Sequence, residues 1–170
     1  MYWSTMTDNR PMRLTLWTDY SLRVLMHCAA CQATGRRATI AELARLHGIS
    51  RHHLTKVVMA LVHGGWLQGQ RGRGGGLRLA RAADDIRLGD VVRWAERDFQ
   101  LVACMAPGAA QAPQACLLMP GCRLRNALQV ALQAYLGVLD SYTLADLAAS
   151  GLSPAGTHQL PIRVLQKPAG

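Results

Sequence analysis

The spacing of apolar residues predicts a first helix that begins near Thr18 and ends before Gly35. Thr18 is the predicted N-cap, because a threonine hydroxyl can accept a hydrogen bond from a free amide of the first helical turn. Five apolar side chains recur at intervals of three and four residues, which places them on one helix face: Leu22, Leu25, Met26, Ala29 and Ala30.

Two shorter helices joined by a tight turn are predicted next. Thr39 and Glu42 have the spacing of a capping box at the start of the first helix, and Gly48 is typical of its C-terminal end. Ser50 then caps a second helix, whose buried face is expected to contain Leu54, Val57, Val58, Leu61 and Val62. Two helices connected in this way are typical of a helix-turn-helix motif.

After these helices the pattern becomes extended. Two short runs, 66–70 and 76–80, flank the sequence RGRGG, which predicts a β-hairpin with a glycine-rich tip. A helix-turn-helix followed by such a hairpin is a winged helix. We therefore expect a mainly α fold with a small β wing, and the sequence IRLGDVVRWAERDF predicts one more helix after the wing.

A long helix is predicted between Cys122 and about Tyr142. Its apolar stripe has a period of 3.6 residues and contains Leu124, Ala127, Leu128, Ala131, Leu132, Tyr135, Leu136 and Leu139. At 1.5 Å per residue the helix should be on the order of 30 Å long. Since it lies outside the compact domain, we expect it to pair with its twin in a homodimer.

These elements divide the chain into five predicted parts. Met12 is an alternative start to Met1, and no internal repeat is visible. The parts are an N-terminal extension (1–11), a winged helix-turn-helix domain (12–100), a cysteine-containing loop (101–121), a dimerisation helix with a short terminal helix (122–150) and a flexible tail (151–170).

Positive charge is concentrated between Arg36 and Arg81. This segment contains nine basic residues and a single acid, Glu42, and so carries eight of the nine net positive charges of the chain. A solvated face usually mixes both signs, whereas a block of one sign favours a polyanion such as double-stranded DNA. The sequence has neither an apolar run that could cross a membrane nor a secretory signal, so the cytoplasm is the expected compartment.

Seven residues of the helix-turn-helix and the wing are candidates for DNA contact. The first turn of a recognition helix enters the major groove, and arginines among glycines at a wing tip suit the narrow minor groove. An ordinary solvated helix face is the alternative. A nucleotide-binding loop is not indicated, because no Lys-Ser/Thr pair follows the glycines. The candidates are Ser50, Arg51, His52, His53, Lys56, Arg71 and Arg73.

The five cysteines form two groups. Cys28 and Cys31 form a CxxC pair late in the first helix, where buried packing is favoured over thioredoxin-like redox chemistry. Cys104, Cys116 and Cys122 lie in the Pro/Gly/Ala-rich loop. Three thiolates leave zinc or an iron–sulfur cluster one ligand short, so a fourth must come from elsewhere. A redox protein and an interaction protein with structural zinc stay open as alternatives.

Four motifs in order, LTLWTDYSLRVL, GISRHHLTKVV, RGRGGGLRLARAADDIRLGDVVR and CRLRNAL with DSYTLADL, resemble the winged-helix iron–sulfur regulators, and among them the nitric-oxide-sensing repressors. The resemblance covers about residues 12–149. It implies a transcriptional repressor, not an enzyme, in which Cys104, Cys116 and Cys122 hold a 4Fe–4S cluster, with 2Fe–2S as the alternative. Asp19 of the other subunit would be the fourth ligand, and nitric oxide would release a palindromic operator.

Two details bear on this resemblance. Another branch of the family carries a histidine three residues after the last cysteine, where this chain has Arg125. The interval between Cys104 and Cys116 is longer than is usual for the nitric-oxide-sensing branch. For Asp19, the alternative is a first-turn acid favoured by the helix dipole. A regulator of the same fold that senses iron–sulfur status or general redox stress is the nearest alternative function.

Overall fold

A computed structural model describes residues 13–111, 116–119 and 121–149 of the chain. The predicted extension at 1–11 and the predicted tail at 151–170 lie outside these residues. No helix in the described ranges is both long enough and apolar enough to cross a bilayer. The helices and strands are α1 Leu16–Ala33, α2 Ile40–His47, α3 Arg51–His63, β1 Leu67–Gln70, β2 Gly76–Leu79, α4 Leu88–Ala95, α5 Arg123–Asp140 and α6 Leu144–Ala149.

Helix α1 begins earlier than the sequence predicts. The N-cap is Thr15, whose hydroxyl accepts a hydrogen bond from the backbone amide of Thr18 at 3.3 Å. The prediction of Thr18 as the N-cap is wrong, because Thr18 lies inside the helix and is fully buried. The carboxylate of Glu96 accepts hydrogen bonds from the amide and the hydroxyl of Thr15, at 2.8 and 3.2 Å. This tertiary contact fixes the earlier start.

The buried face of α1 is also only partly the predicted one. Leu25 and Ala29 are buried, whereas Leu22, Met26 and Ala30 are partly exposed. Helix α1 packs against α3, α4, α6 and β2, so the core surrounds more of its circumference than one apolar stripe. Its full set of buried residues therefore includes small and polar side chains: Thr18, Ser21, Val24, Leu25, His27, Cys28, Ala29 and Cys31.

The predicted caps of α2 and α3 are confirmed. The hydroxyl of Thr39 accepts a hydrogen bond from the amide of Glu42 at 3.2 Å, and that of Ser50 accepts one from the amide of His53 at 3.3 Å. Gly48 ends α2 in the left-handed conformation, with φ of 65°. Glycine adopts this conformation without the steric cost of a Cβ atom, which allows the tight turn between the two helices.

The hairpin is antiparallel and is tied to the helix-turn-helix. Leu67 pairs with Leu79, and Gln70 pairs with Gly76. Ala38, just before α2, exchanges two backbone hydrogen bonds with Leu77 of β2, at 3.1 and 2.8 Å. The wing is therefore held against the start of α2 and does not project as an isolated two-stranded ribbon, which would be only marginally stable.

The C-terminal elements return to the winged helix. Leu144 at the start of α6 is fully buried, and its amide donates a hydrogen bond to the carbonyl of Ile86 at 3.0 Å. Arg93 of α4 binds the carboxylate of Asp140 with both of its terminal nitrogens, at 2.6 and 2.7 Å, and lowers the pKa of that carboxyl. A side chain at Gly89 would collide with this pair. The C-terminal end of α5 is thus fixed to α4.

Candidate functional site

Helix α3 separates a buried apolar side from an exposed polar side. Leu54, Val57, Val58 and Leu61 are buried, as predicted, whereas Val62 is 41% exposed. On the outer side of the helix, four consecutive or near-consecutive polar residues are exposed: Arg51, His52, His53 and Lys56. The structure therefore brings together the candidate contacts of the predicted recognition helix in its first two turns.

The tip of the wing presents two further arginines. Arg71 and Arg73 are exposed between β1 and β2. Gly72 and Gly74 have φ angles of 95° and 74°, in the left-handed region that most side chains avoid. A Cβ atom at Gly75 would collide with the carbonyl of Gln70. The glycines thus permit a tight turn whose bulky side chains are arginines.

These exposed cations have no acidic partners in the described residues, in contrast to basic residues elsewhere in the protein. Arg23 pairs with Asp19, Arg36 with Glu42, and Arg93 with Asp140. No such ion pair forms within the described ranges at Arg51, Lys56, Arg71 or Arg73. Their charge is therefore available to a polyanion, as the single-sign block in the sequence predicts.

The three loop cysteines lie between α4 and α5. Cys104 is half-buried in a short 3-10 turn at Ala103–Met105, and Cys116 is exposed. Cys122 is half-buried and occupies the N-cap position of α5. Residues 112–115 and 120 lie outside the described residues. None of the three forms a disulfide in the described part of the chain, and all three are at least partly exposed at the junction between the winged helix and the long helix.

The start of α5 is a positively charged environment. Its N-cap makes no side-chain hydrogen bond to the first turn, so free backbone amides lie beside Cys122. Arg123 and Arg125 belong to that first turn, and Nε of Arg125 is buried without a hydrogen-bond partner in the described structure. Free amides and the unpartnered Nε of Arg125 favour an anionic group at this position.

Asp19 lies in the first turn of α1 and has a partner in its own helix. Its Oδ1 accepts a hydrogen bond from Nε of Arg23 at 2.9 Å, and the Asp19 side chain is 38% exposed. This i,i+4 pair fits the interpretation of Asp19 as a first-turn acid. Ligation across a dimer would require Asp19 to exchange this partner for iron.

Cys28 and Cys31 belong to the hydrophobic core. They are 1% and 3% exposed, and burial raises the pKa of both thiols, that of Cys28 to about 12. A redox-active CxxC pair requires a lowered thiol pKa, because the thiolate is the nucleophile. The environment of Cys28 and Cys31 has the opposite effect, so the structure favours packing over the redox interpretation.

Sequence reasoning missed a group of polar residues around Cys31. His27 of α1 and Glu42 of α2 lie close to the Cys31 thiol, with all three potential ligand atoms within 4.8 Å of one another. The signal in the sequence is the i,i+4 spacing of His27 and Cys31, which places both on one face of α1. Glu42 could not be added without knowing how α2 packs on α1.

Helix α5 has an apolar stripe, as predicted, but the stripe is divided into two. Leu128, Leu132, Leu136 and Leu139 are partly covered, and the first two line a groove with Phe99, Leu101 and Val102. A second set along the same side is more exposed, although its last two members also border the groove: Leu124, Ala127, Ala131 and Tyr135. No residue of α5 is buried.

The helix-turn-helix, the wing and the unpaired basic side chains define a winged helix-turn-helix DNA-binding protein. Residues 14–150 match the Rrf2 family, described as iron-dependent transcriptional regulators. The chain therefore belongs to the Rrf2 family, which confirms that the motifs indicate a winged-helix transcriptional regulator. It is thus a transcriptional regulator and not an enzyme.

Similar proteins support this assignment. The chain is 45% identical over 136 residues to the HTH-type transcriptional regulator NsrR of Bacillus subtilis, covering 80% of this chain and 90% of that protein. Identity to NsrR of Geobacillus kaustophilus is also 45%, with 80% and 89% covered. Among solved structures, CymR of B. subtilis, the global cysteine regulator, has a TM-score of 0.64 at 24% identity, with 82% of this chain and 98% of CymR covered.

A second structural neighbour has the same fold. IscR of T. potens has a TM-score of 0.62 at 21% identity, with 81% of this chain and 87% of IscR covered. At such low identity these two likenesses show the winged-helix fold with its C-terminal helix, and they carry no residue assignment.

Proposed function

We propose that the protein is a cytoplasmic, homodimeric repressor that binds a palindromic operator, holds a 4Fe–4S cluster and releases the DNA in response to nitric oxide. The observation that carries this proposal is the location of the three loop thiols. Cys104, Cys116 and Cys122 lie between the DNA-binding elements and the N-terminus of the long helix. A group held there can influence both halves of the protein.

Operator binding would use α3 and the wing together. Arg51, His52, His53 and Lys56 would face base edges and phosphates of the major groove, with Ser50 capping the helix that presents them. Arg71 and Arg73 would enter the adjacent minor groove, where the negative potential is strongest when the groove is narrow. Two subunits would bind half-sites separated by one turn of DNA, about 34–36 Å, or a multiple of it.

The exposed part of α5 supports a homodimer. Leu124, Ala127, Ala131 and Tyr135 form an apolar strip that is largely exposed, although Ala131 and Tyr135 also border the groove beside Phe99. Ala127 and Ala131 allow a second helix to approach closely at the middle of this strip. Because α4 anchors the far end of α5 through Arg93 and Asp140, pairing of two α5 helices would also fix the relative position of the two winged helices.

The residues present fit an anionic iron–sulfur cluster. Cysteine thiolates are the usual ligands of such clusters, and Asp19 donated across the dimer would complete the set of four. The unpartnered Nε of Arg125 and the free amides at the start of α5 would stabilise its negative charge. When bound, the cluster would supply iron atoms that react with nitric oxide.

Asp19 would connect the ligand set to the DNA-binding elements. It lies on α1, which packs directly against the recognition helix α3. In this structure Asp19 binds Arg23, so the carboxylate has an alternative partner available when it leaves iron. Nitric oxide can shift the protein only through a difference in affinity between these two arrangements. The exchange of Asp19 between iron and Arg23 would supply part of that difference.

An anaerobic titration tests the proposed function. Protein purified without oxygen should show the visible absorption of an iron–sulfur cluster and bind an operator fragment. Nitric oxide should alter that spectrum and weaken operator binding over the same range of additions, by roughly 5–150-fold if the coupling between the two sites is typical. Cys122→Ser is the control, since it should lose the cluster and any response to nitric oxide while keeping its fold.

Other results would favour the alternatives. Release of DNA on iron depletion or peroxide treatment, with no response to nitric oxide, would indicate a sensor of iron–sulfur status or of general redox stress. Colourless protein that does not respond to nitric oxide and contains a zinc ion that Cys122→Ser loses would indicate a structural zinc site at the loop cysteines.

A further inference from the structure

His27, Cys31 and Glu42 bring three metal-ligating side chains together away from the cysteine loop. The imidazole and the thiol project from one face of α1, and the carboxylate comes from α2, the first helix of the helix-turn-helix. Their potential ligand atoms all lie within 4.8 Å of one another. His27 and Cys31 are buried, and the side chain of Glu42 is 17% exposed.

The imidazole of His27 lacks the partner that a buried polar group normally has. Its Nε2 is buried and makes no hydrogen bond in the described structure, although Oε1 of Glu42 lies 3.5 Å away. Buried polar atoms are rarely left unsatisfied, so each exception requires an explanation. An ion bound between His27, Cys31 and Glu42 would satisfy this nitrogen directly.

Arg36 supplies the positive charge at this group in the present structure. Its Nη2 binds Oε1 of Glu42 at 2.9 Å, and its Nη1 lies 3.9 Å from Sγ of Cys31. The Arg36 side chain is 60% exposed, so it can turn into solvent without disturbing the core. A cation is thus already accommodated beside the Glu42 carboxylate and the Cys31 thiol, on the side of the group that opens to water.

We propose that His27, Cys31 and Glu42 form a binding site for a divalent transition metal ion such as Zn²⁺, with Arg36 as a competing cation. Thiolate, imidazole and carboxylate are all zinc ligands, and a water molecule would complete the tetrahedron. On binding, Cys31 releases its thiol proton to solvent and Arg36 leaves Glu42. The thiolate and the carboxylate then balance the two charges of the ion.

The geometry requires little adjustment. Zinc bonds of 2.0–2.3 Å place the ligand atoms of a tetrahedral site roughly 3.5 Å apart. Rotation of the partly buried Glu42 side chain toward α1 would close the remaining gap. The ion would then link α1 to α2 and hold the helix-turn-helix against its supporting helix. Binding would therefore stabilise the folded protein, because the unfolded chain does not bring these ligands together.

Cobalt binding tests this site, since Co²⁺ replaces Zn²⁺ and its thiolate bond absorbs light, whereas zinc is spectroscopically silent. The experiment uses the full chain with Cys104→Ser, Cys116→Ser and Cys122→Ser, so that Cys28 and Cys31 are the remaining thiols. This parent protein should bind one Co²⁺ with a thiolate-to-metal band that Zn²⁺ displaces. Zinc should also raise its melting temperature.

Matched variants of this parent locate the ligands. Cys31→Ser should remove the band and weaken zinc binding by more than the roughly 10–100-fold typical of groups outside the coordination shell. Cys28→Ser is the control and should keep the band. Arg36→Gln should bind zinc more tightly than the parent, because the competing cation is gone. Glu42→Gln should weaken binding, and it keeps the size of the side chain and its capacity to accept a hydrogen bond from Arg36.

Three results would overturn the proposal. The parent protein could bind no cobalt, Cys31→Ser could retain the thiolate band, or Cys28→Ser could lose it to the same extent as Cys31→Ser. Weaker zinc binding by Arg36→Gln would also contradict it, since the proposal makes Arg36 a competitor and not a supporting residue. Circular dichroism of each variant shows that a loss of binding is not a loss of fold.

Discussion

Raising the pH should destabilise the protein through the buried thiol of Cys28. Burial raises the pKa of this thiol from 9.0 to about 12 in the folded protein. Between these two values the unfolded chain has lost the proton that the folded chain retains. The unfolded state therefore binds fewer protons, and the free energy of unfolding falls as pH rises. The stabilisation is complete below pH 9 and is lost progressively above it.

The size of the effect follows from the difference between the two pKa values. Each pH unit in this window costs about 1.4 kcal/mol. Between about pH 8 and about pH 10.5, Cys28 alone should lower the free energy of unfolding by about 2 kcal/mol. No discount for solvent screening applies, because the side chain is 1% exposed. This is a large fraction of the 5–15 kcal/mol that typically stabilises a domain.

Urea unfolding of wild type and Cys28→Ala at a series of pH values measures this contribution under reducing conditions. The variant should be less stable near neutral pH, because it leaves a small cavity, but its stability should fall less steeply above pH 9. With all proteins prepared free of the cluster, Cys116→Ala controls for the loss of an exposed thiol, and its stability should change with pH as that of wild type does. Parallel curves for wild type and Cys28→Ala would refute the argument, since they would mean that water reaches this thiol in the folded protein.

Three further predictions concern the proposed function. Arg73→Ala should reduce the magnitude of the slope of log operator affinity against log salt concentration by about one unit, whereas Arg81→Ala, at the opposite end of the hairpin, should leave the slope nearly unchanged. Binding isotherms of Arg73→Ala that coincide with those of wild type would show that Arg73 does not contact the DNA. In sedimentation, Ala131→Asp should give monomers, because an unpaired buried charge costs several kcal/mol. Gln133→Asp, on the opposite face of α5, should stay dimeric, and dimers of both variants would place the interface elsewhere. Asp19→Ala should retain its fold and dimer state but change the spectrum of the cluster and its rate of reaction with nitric oxide, and a wild-type anaerobic titration would exclude Asp19 as a ligand.

Local signals in the sequence predict most of this fold. Ser50 and Gly48 have cap chemistry that depends on adjacent residues alone, and the glycines of the wing determine a turn within one hairpin. The predicted start of α1 is wrong because it depends on a contact with a residue that is distant in the sequence. Thr15 and Thr18 are equivalent as caps in isolation, and the choice between them depends on Glu96, which is distant in the sequence.

The candidate sites divide in the same way. The exposed face of α3 follows from periodicity, because Leu54 and its neighbours must turn inward and leave Arg51 outside. The group at Cys31 depends on the packing of α2 against α1, and nothing near Glu42 in the sequence indicates that contact. The division of the α5 stripe likewise depends on α4 and Phe99, so an apolar period alone could not show which half stays exposed.

The burial of Leu144 in the winged-helix core has a consequence for how the protein is made. Residues between Glu96 and Tyr142, including the three loop cysteines and α5, lie between two parts of one core. Chains emerge from the ribosome N-terminus first, so the core cannot be completed until α6 has been synthesised. Every finished DNA-binding domain is therefore already attached to a complete cysteine loop and long helix. A nascent or truncated chain that lacks α6 would leave open the side of α1 that α6 covers, so its DNA-binding elements would rest on an incomplete core.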